Sequence, residues 1–165
     1  MRSWSERSKE VANLFNPPFC CATLTASVVS YSQENGNSGM PFPIAFIGLP
    51  VIFHKQTRKI IPINTRTSLA AWLEENPSVR IQFYERVITI KPFVREAVLF
   101  GIQNNWLSIK SGNIFSSLNN TQIKTFLQKT DGEARECIMK ARLLGKWFAL
   151  AGSPEAIMAL WEVRP

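Results

Sequence analysis

The chain has one histidine, His54, and three cysteines, Cys20, Cys21 and Cys137, with no CxxC pair among them. Structural zinc favours tight pairs of Cys or His, so this set argues against a metal centre. Adjacent Cys20 and Cys21 cannot both serve an ordinary disulfide. No GxSxG nucleophile elbow is present, and Gly145-Lys146 lacks the upstream glycine and following Ser/Thr of a phosphate-binding loop. The longest apolar run, Met40 to Phe53 (MPFPIAFIGLPVIF), spans fourteen residues, short of the roughly twenty a membrane helix needs. Pro41, Pro43, Gly48 and Pro50 interrupt it further, so a buried core helix with a proline kink is expected there. No leader is legible at the N-terminus, where Glu6, Lys9 and Glu10 break the first apolar run. These absences predict a chain with no catalytic residue, cofactor, metal or membrane span, suited to a reducing cytoplasm.

What is present is apolar and basic. At 165 residues with 45% apolar side chains, the chain is long enough to bury a core without staples, as one domain over 1–165. Lys and Arg number nineteen against twelve acids, a net charge of +7. The excess is uneven: His54 to Arg66 holds Lys55, Arg58, Lys59 and Arg66 with no acid. That balance fits a phosphate backbone or an acidic protein equally well.

The pattern along the chain is mostly helical. Ser3 and Glu6 have capping-box spacing. Asn16-Pro17 stops one helix and starts the next, whose small residues (Phe19 to Tyr31) predict close packing on a neighbour. Thr67 to Glu75 reads as a short helix closed by Asn76-Pro77. Val79, Phe83, Val87 and Ile90 lie at helical spacing, with Ile81, Tyr84 and Ile88 on an adjoining flank. Pro92 is expected to open a further helix through Phe93, Ala97 and Phe100 to Asn105. Leu107 and Ile109 then alternate, Ser111-Gly112-Asn113 supplies a turn, and Ile114 resumes a strand. Thr121 and Asp131 can cap two more helices, and Ser153-Pro154 a last one through Trp161. The expected fold is mainly α, a helical domain containing a winged-helix-like unit with one β-hairpin. Its parts are N-terminal helices (1–54), a winged-helix-like part (55–118) and C-terminal helices (119–165).

In a winged helix, the helix before the hairpin enters the major groove and the wing touches the backbone. The DNA-contact candidates are therefore Arg95 on that helix, Lys91 flanking it, Lys110 in the wing, and the upstream cluster Lys55, Arg58, Lys59 and Arg66. With so few cations on the helix, the contact expected with double-stranded DNA is nonspecific, to phosphates. Five tryptophans raise a second possibility, because Trp is favoured as an interface anchor. Trp4, Phe15, Trp147 and Trp161 are the partner-docking candidates, each with core packing as its plain alternative. His54, between an apolar run and a basic one, reads as a boundary residue that caps or bonds locally. Glu74-Glu75 and Glu133/Glu136 read as solvated helix-surface pairs.

A series of short motifs resembles a bacterial family, the middle component of three-component ABC systems. It comprises Trp4-Ser5-Glu6-Arg7, Leu14-Phe15-Asn16-Pro17, Gly39-Met40-Pro41-Phe42-Pro43, His54-Lys55 with Thr57-Arg58, and Asn76-Pro77. It continues with Lys140-Ala141-Arg142, Leu144-Gly145, Trp147-Phe148-Ala149 and the closing Val163-Arg164-Pro165. The order and spacing, over nearly the whole chain, carry the likeness. The resemblance implies a role in defence against phage or plasmids, similar in placement to the small subunit of Lamassu-type defence. It implies a non-catalytic adaptor that joins an SMC/Rad50-like ABC ATPase to an effector protein, a nuclease being one form. It carries over no catalytic residues. The alternative from another class is a free-standing winged-helix DNA-binding regulator.

Overall fold

The structure is a computed structural model and describes residues 9–164; Trp4 and the Ser3/Glu6 capping box lie outside them. Helix α1 (Lys9–Leu14) ends at Asn16, whose Oδ1 accepts the Phe19 amide at 2.9 Å and caps α2 (Pro17–Glu34). From Cys20 to Tyr31, α2 is buried at every position except half-buried Ala22. A helix buried on all sides belongs at the centre of a fold, even with Thr23, Thr25, Ser27 and Ser30 among its buried residues, and α2 packs on α8, α6 and α3.

The Gly-Met-Pro-Phe-Pro stretch forms a two-residue strand β1 (Met40–Pro41), a 3-10 turn over Phe42–Ile44, and α3 (Ala45–Phe53), which carries Pro50 within it. Then come α4 (Lys55–Ile60), α5 (Leu69–Glu75) and a 3-10 turn over Pro77–Arg80. Helix α6 (Phe83–Gln103) follows, then β2 (Leu107–Lys110) and β3 (Asn113–Ser116). Ser111 and Gly112 both take positive φ, +50° and +77°, the two-residue turn that matches strand twist. β1 adds to the outer edge of β3, giving a three-stranded antiparallel sheet in the order β1-β3-β2, with Met40 opposite Ile114. Helices α7 (Asn120–Gln128), α8 (Gly132–Leu150) and α9 (Pro154–Leu160) complete the chain. The chain is mainly α, and the buried side chains of all three sequence segments join one core.

Three expectations are corrected. The helices expected on either side of Pro92 are one: α6 runs through the proline. Pro92 lacks the N–H that would bond the Ile88 carbonyl, but both residues are exposed, so water can serve that carbonyl. The buried stripe Val87, Ile90, Val94, Ala97, Val98 and Gly101 crosses the site without a break. The cap of α7 is Asn119 instead of Thr121, in a reciprocal box with Gln122. The hairpin is joined by a third strand that a two-residue pattern could not announce.

The α2–α8 contact is the most extensive in the molecule. Ser27 Oγ donates to the Ala141 carbonyl at 2.7 Å, and buried Gly145 of α8 lies against the Ser27 backbone. The segment 54–69 is tied to α8 by donors on that helix. Lys140 Nζ bonds the carbonyls of Ile61 and Pro62, and Trp147 Nε1 donates to Thr67 O at 2.9 Å.

Candidate docking surface

Helix α6 buries one side and leaves the other without cover. Tyr84, Ile88, Lys91, Arg95, Leu99 and Ile102 follow one another at spacings of four, three, four, four and three. All six therefore fall on one face. The four apolar members are 40–57% exposed, and Lys91 and Arg95 are exposed between them. The face is apolar at both ends and basic in the middle.

A groove of about 510 Å³ runs beside its N-terminal half. Phe42 and Phe46 form one wall, edge to face at 5.3 Å. Met158, Val163 and Arg164 close the far side, and Tyr84, Ile88, Lys91 and Arg95 supply the helix wall. The walls are set by local features of the sequence. Pro41 and Pro43 turn the chain so that Phe42 and Phe46 sit beside each other, one before and one inside α3. Ser153 Oγ accepts the Ala156 amide at 3.2 Å and starts α9. The Trp161 ring then packs 4.6 Å from Phe83, which anchors the chain end against the start of α6. Among the described residues no carboxylate side chain lines this groove.

The expected site residues are distributed differently. Lys91 and Arg95 lie at the groove, whereas Lys55, Lys59, Arg66 and Lys110 are exposed elsewhere. Arg58 is no surface cation: it is 0% exposed. Its Nε reaches Glu136 at 3.1 Å, Nη1 reaches the Ile52 carbonyl at 3.0 Å, and Nη2 pairs with Glu133. A guanidinium held on three sides inside the protein does not reach a phosphate, and it also makes Glu133 and Glu136 ion-pair partners, not merely solvated acids.

Trp147 and Trp161, each 1% exposed, are core residues that flank Trp72 at centroid distances of 5.2 and 6.4 Å. Burial removes both from any docking surface in this conformation. Phe15 is half-buried, 5.0 Å from both Phe53 and Phe93. Sequence reasoning missed exposed Ile88 and half-buried Phe42, Phe46 and Met158 as groove residues. The usable signal was the flank containing Tyr84 and Ile88, which continues to Ile102 once Pro92 is read as internal.

His54 caps α4: Nδ1 lies 2.7 Å from Thr57 Oγ1 and accepts the Thr57 amide at 3.3 Å. Burial, then Arg86 and Arg58, hold its pKa below the ordinary 6.5. The folded protein therefore binds this proton less readily than the unfolded chain. The stability it contributes is complete above pH 6.5 and is lost as pH falls from there toward the depressed value. Thermal melts between pH 7.5 and 5.5 should show a smaller acid-induced drop for His54→Asn, which keeps a capping acceptor. Equal drops in the two proteins would mean that another group titrates. The thiols are buried, and burial pushes Cys21 and Cys137 up to about 11 and raises Cys20 as well. Among the described residues no three His, Cys, Asp or Glu side chains gather to hold a metal ion, and no helix is long and apolar enough to cross a membrane.

Fold and surface together define a class: a small, mainly α chain with a three-stranded sheet and an uncovered helix face of mixed apolar and basic character. The family model described as ABC-three component (ABC-3C) system Middle Component 3 matches residues 4–165, and the chain belongs to that family. It is thus one component of a multi-component system and has partner components. No curated protein and no solved structure matches the chain.

The family-like motifs have visible local work. Asn16 caps α2, and Asn76 Nδ2 donates to Trp72 O at 2.9 Å. His54 and Thr57 shape α4. Arg142 Nη2 bonds Asn120 Oδ1 at 2.9 Å and joins α8 to α7.

Proposed function

We propose that this chain is a non-catalytic adaptor of an antiphage or antiplasmid defence complex, linking an SMC/Rad50-like ABC ATPase to an effector. Membership in the middle-component family supports the multi-component setting. The observation that carries the docking role is the outward face of α6. With α4 and α5 inserted between α3 and α6, the order α2, β1, α3, α6, β2, β3, and β1 on the β3 edge, support a winged-helix reading, in which α6 would be the DNA-reading element. Here that element presents Tyr84, Ile88, Leu99 and Ile102 to the outside, with only Lys91 and Arg95 as cations on the stripe. Apolar side chains gain nothing from a phosphate backbone, whereas they gain from burial against a protein.

DNA contact is secondary in this reading: nonspecific, through Lys55, Lys59, Arg66 and Lys110. The competing reading is a free-standing DNA-binding regulator. Titration of the isolated chain with duplex DNA at several salt concentrations separates the two. An adaptor binds weakly, and its log-log salt slope corresponds to only a few phosphates at about −0.9 each. Tight, sequence-selective binding with a slope of many phosphates would remove the adaptor reading in favour of the regulator.

A further inference from the structure

The groove beside α6 carries a more specific inference, which rests on the adaptor reading and names the chemistry of what docks. We propose that it receives an acidic amphipathic α-helix of a partner component, apolar side chains in the groove and carboxylates on Lys91, Arg95 and Arg164.

Shape, pattern and charge agree on this occupant. From Tyr84 to Ile102 the exposed stripe spans about 27 Å at 1.5 Å per residue, so a partner helix of about five turns can lie along all of it. The stripe repeats at four and three residues, the spacing at which a second helix presents its own apolar positions. Phe42, Phe46 and Met158 give the groove apolar walls beside the helix. Among the described residues its lining holds three cations and no carboxylate side chain, and Glu162, next to the lining residue Val163, is held by Arg80 at 3.1 Å. A partner that presents acids is drawn in, and one that presents lysines is repelled. A second copy of this chain, with its net charge of +7, would bring cations to cations. Duplex DNA could meet the three cations but would leave the apolar walls unfilled. A membrane surface, for its part, requires a protruding apolar face, not a concave one.

The test uses the full chain and two labelled peptides of about eighteen residues, matched to the stripe length. Both have leucines at helical spacing, one with glutamates and the other with lysines on the flanks. Fluorescence anisotropy is expected to show saturable binding of the glutamate peptide and none of the lysine peptide. Ile88→Glu, and separately Lys91→Glu with Arg95→Glu, should each weaken binding at least tenfold. The charge-reversed double variant should in turn gain binding to the lysine peptide. All three positions are exposed, so circular dichroism should be unchanged; Tyr84→Ala is a milder variant for any that melts early.

The proposal is overturned if the two peptides bind equally, if neither binds, or if the groove variants bind as the wild type does. It is also overturned if these variants lose only binding to short duplex DNA or to phosphatidylserine vesicles. Any of these results leaves the adaptor reading standing, because that depends on association with the ATPase by whatever surface.

Discussion

Replacing Gly145 with alanine is expected to destabilise the protein by about 3 kcal/mol or more, at the upper end of overpacking effects. Considered within its own helix, the change should help, since alanine is favoured over glycine in a helix interior by up to about 1 kcal/mol. The sign is reversed by the neighbour. A Cβ at this position would stand 2.2 Å from the Ser27 carbonyl oxygen, 2.9 Å from its carbon and 3.0 Å from its Cα. All three are backbone atoms of α2, so no side chain can swing aside; the helices must separate along their whole contact. For a chain of this length, 3 kcal/mol corresponds to a fall in Tm of about 6–12 °C, readable by calorimetry. A Gly145→Ala protein that melts at or above the wild-type temperature would mean that the helices are not in such close contact.

The second large effect is expected at Arg58, and it is asymmetric. Removing both carboxylates, Glu133→Gln with Glu136→Gln, leaves a fully buried cation without counter-charge and should cost about 3–5 kcal/mol. Arg58→Met should cost less. The glutamates are 41% and 37% exposed and rehydrate when the guanidinium is gone, so the loss is confined to the Ile52 carbonyl and imperfect filling. The triple variant should recover most of the stability lost by the double, because no buried charge remains. Denaturant titration of the four proteins gives the three differences. Additive losses would show that Arg58 and the two glutamates do not act as a unit.

Much of the scaffold was legible because it depends on local chemistry. Asn16-Pro17 and Ser153-Pro154 announce helix starts, Ser111-Gly112 announces the turn, and the small residues of α2 announce close packing on a neighbour, which the fold makes α8. Features that depend on distant residues were not legible. β1 exists only because Met40 and Pro41 meet β3, some seventy residues further on. Pro92 reads as a helix start until the uninterrupted core stripe on both sides of it is counted. Arg58 belongs by sequence to a basic cluster, and only the fold brings Glu133 and Glu136 to it. The groove joins residues 42–47, 84–95 and 158–164, and no local pattern connects them. The tryptophans were misleading for a related reason: a Trp can anchor an interface or fill a core, and Trp72, Trp147 and Trp161 fill one together.

The central claim is that this chain acts by joining a partner, and the most direct measurement is complex formation with the ABC ATPase proposed as that partner. The two purified proteins, treated with nuclease to remove bridging DNA, would be mixed and sized by light scattering at physiological salt. The account predicts a discrete complex containing both chains. Two separate species at every concentration up to tens of micromolar, which rules out even the weaker affinities usual for regulated assemblies, would contradict it.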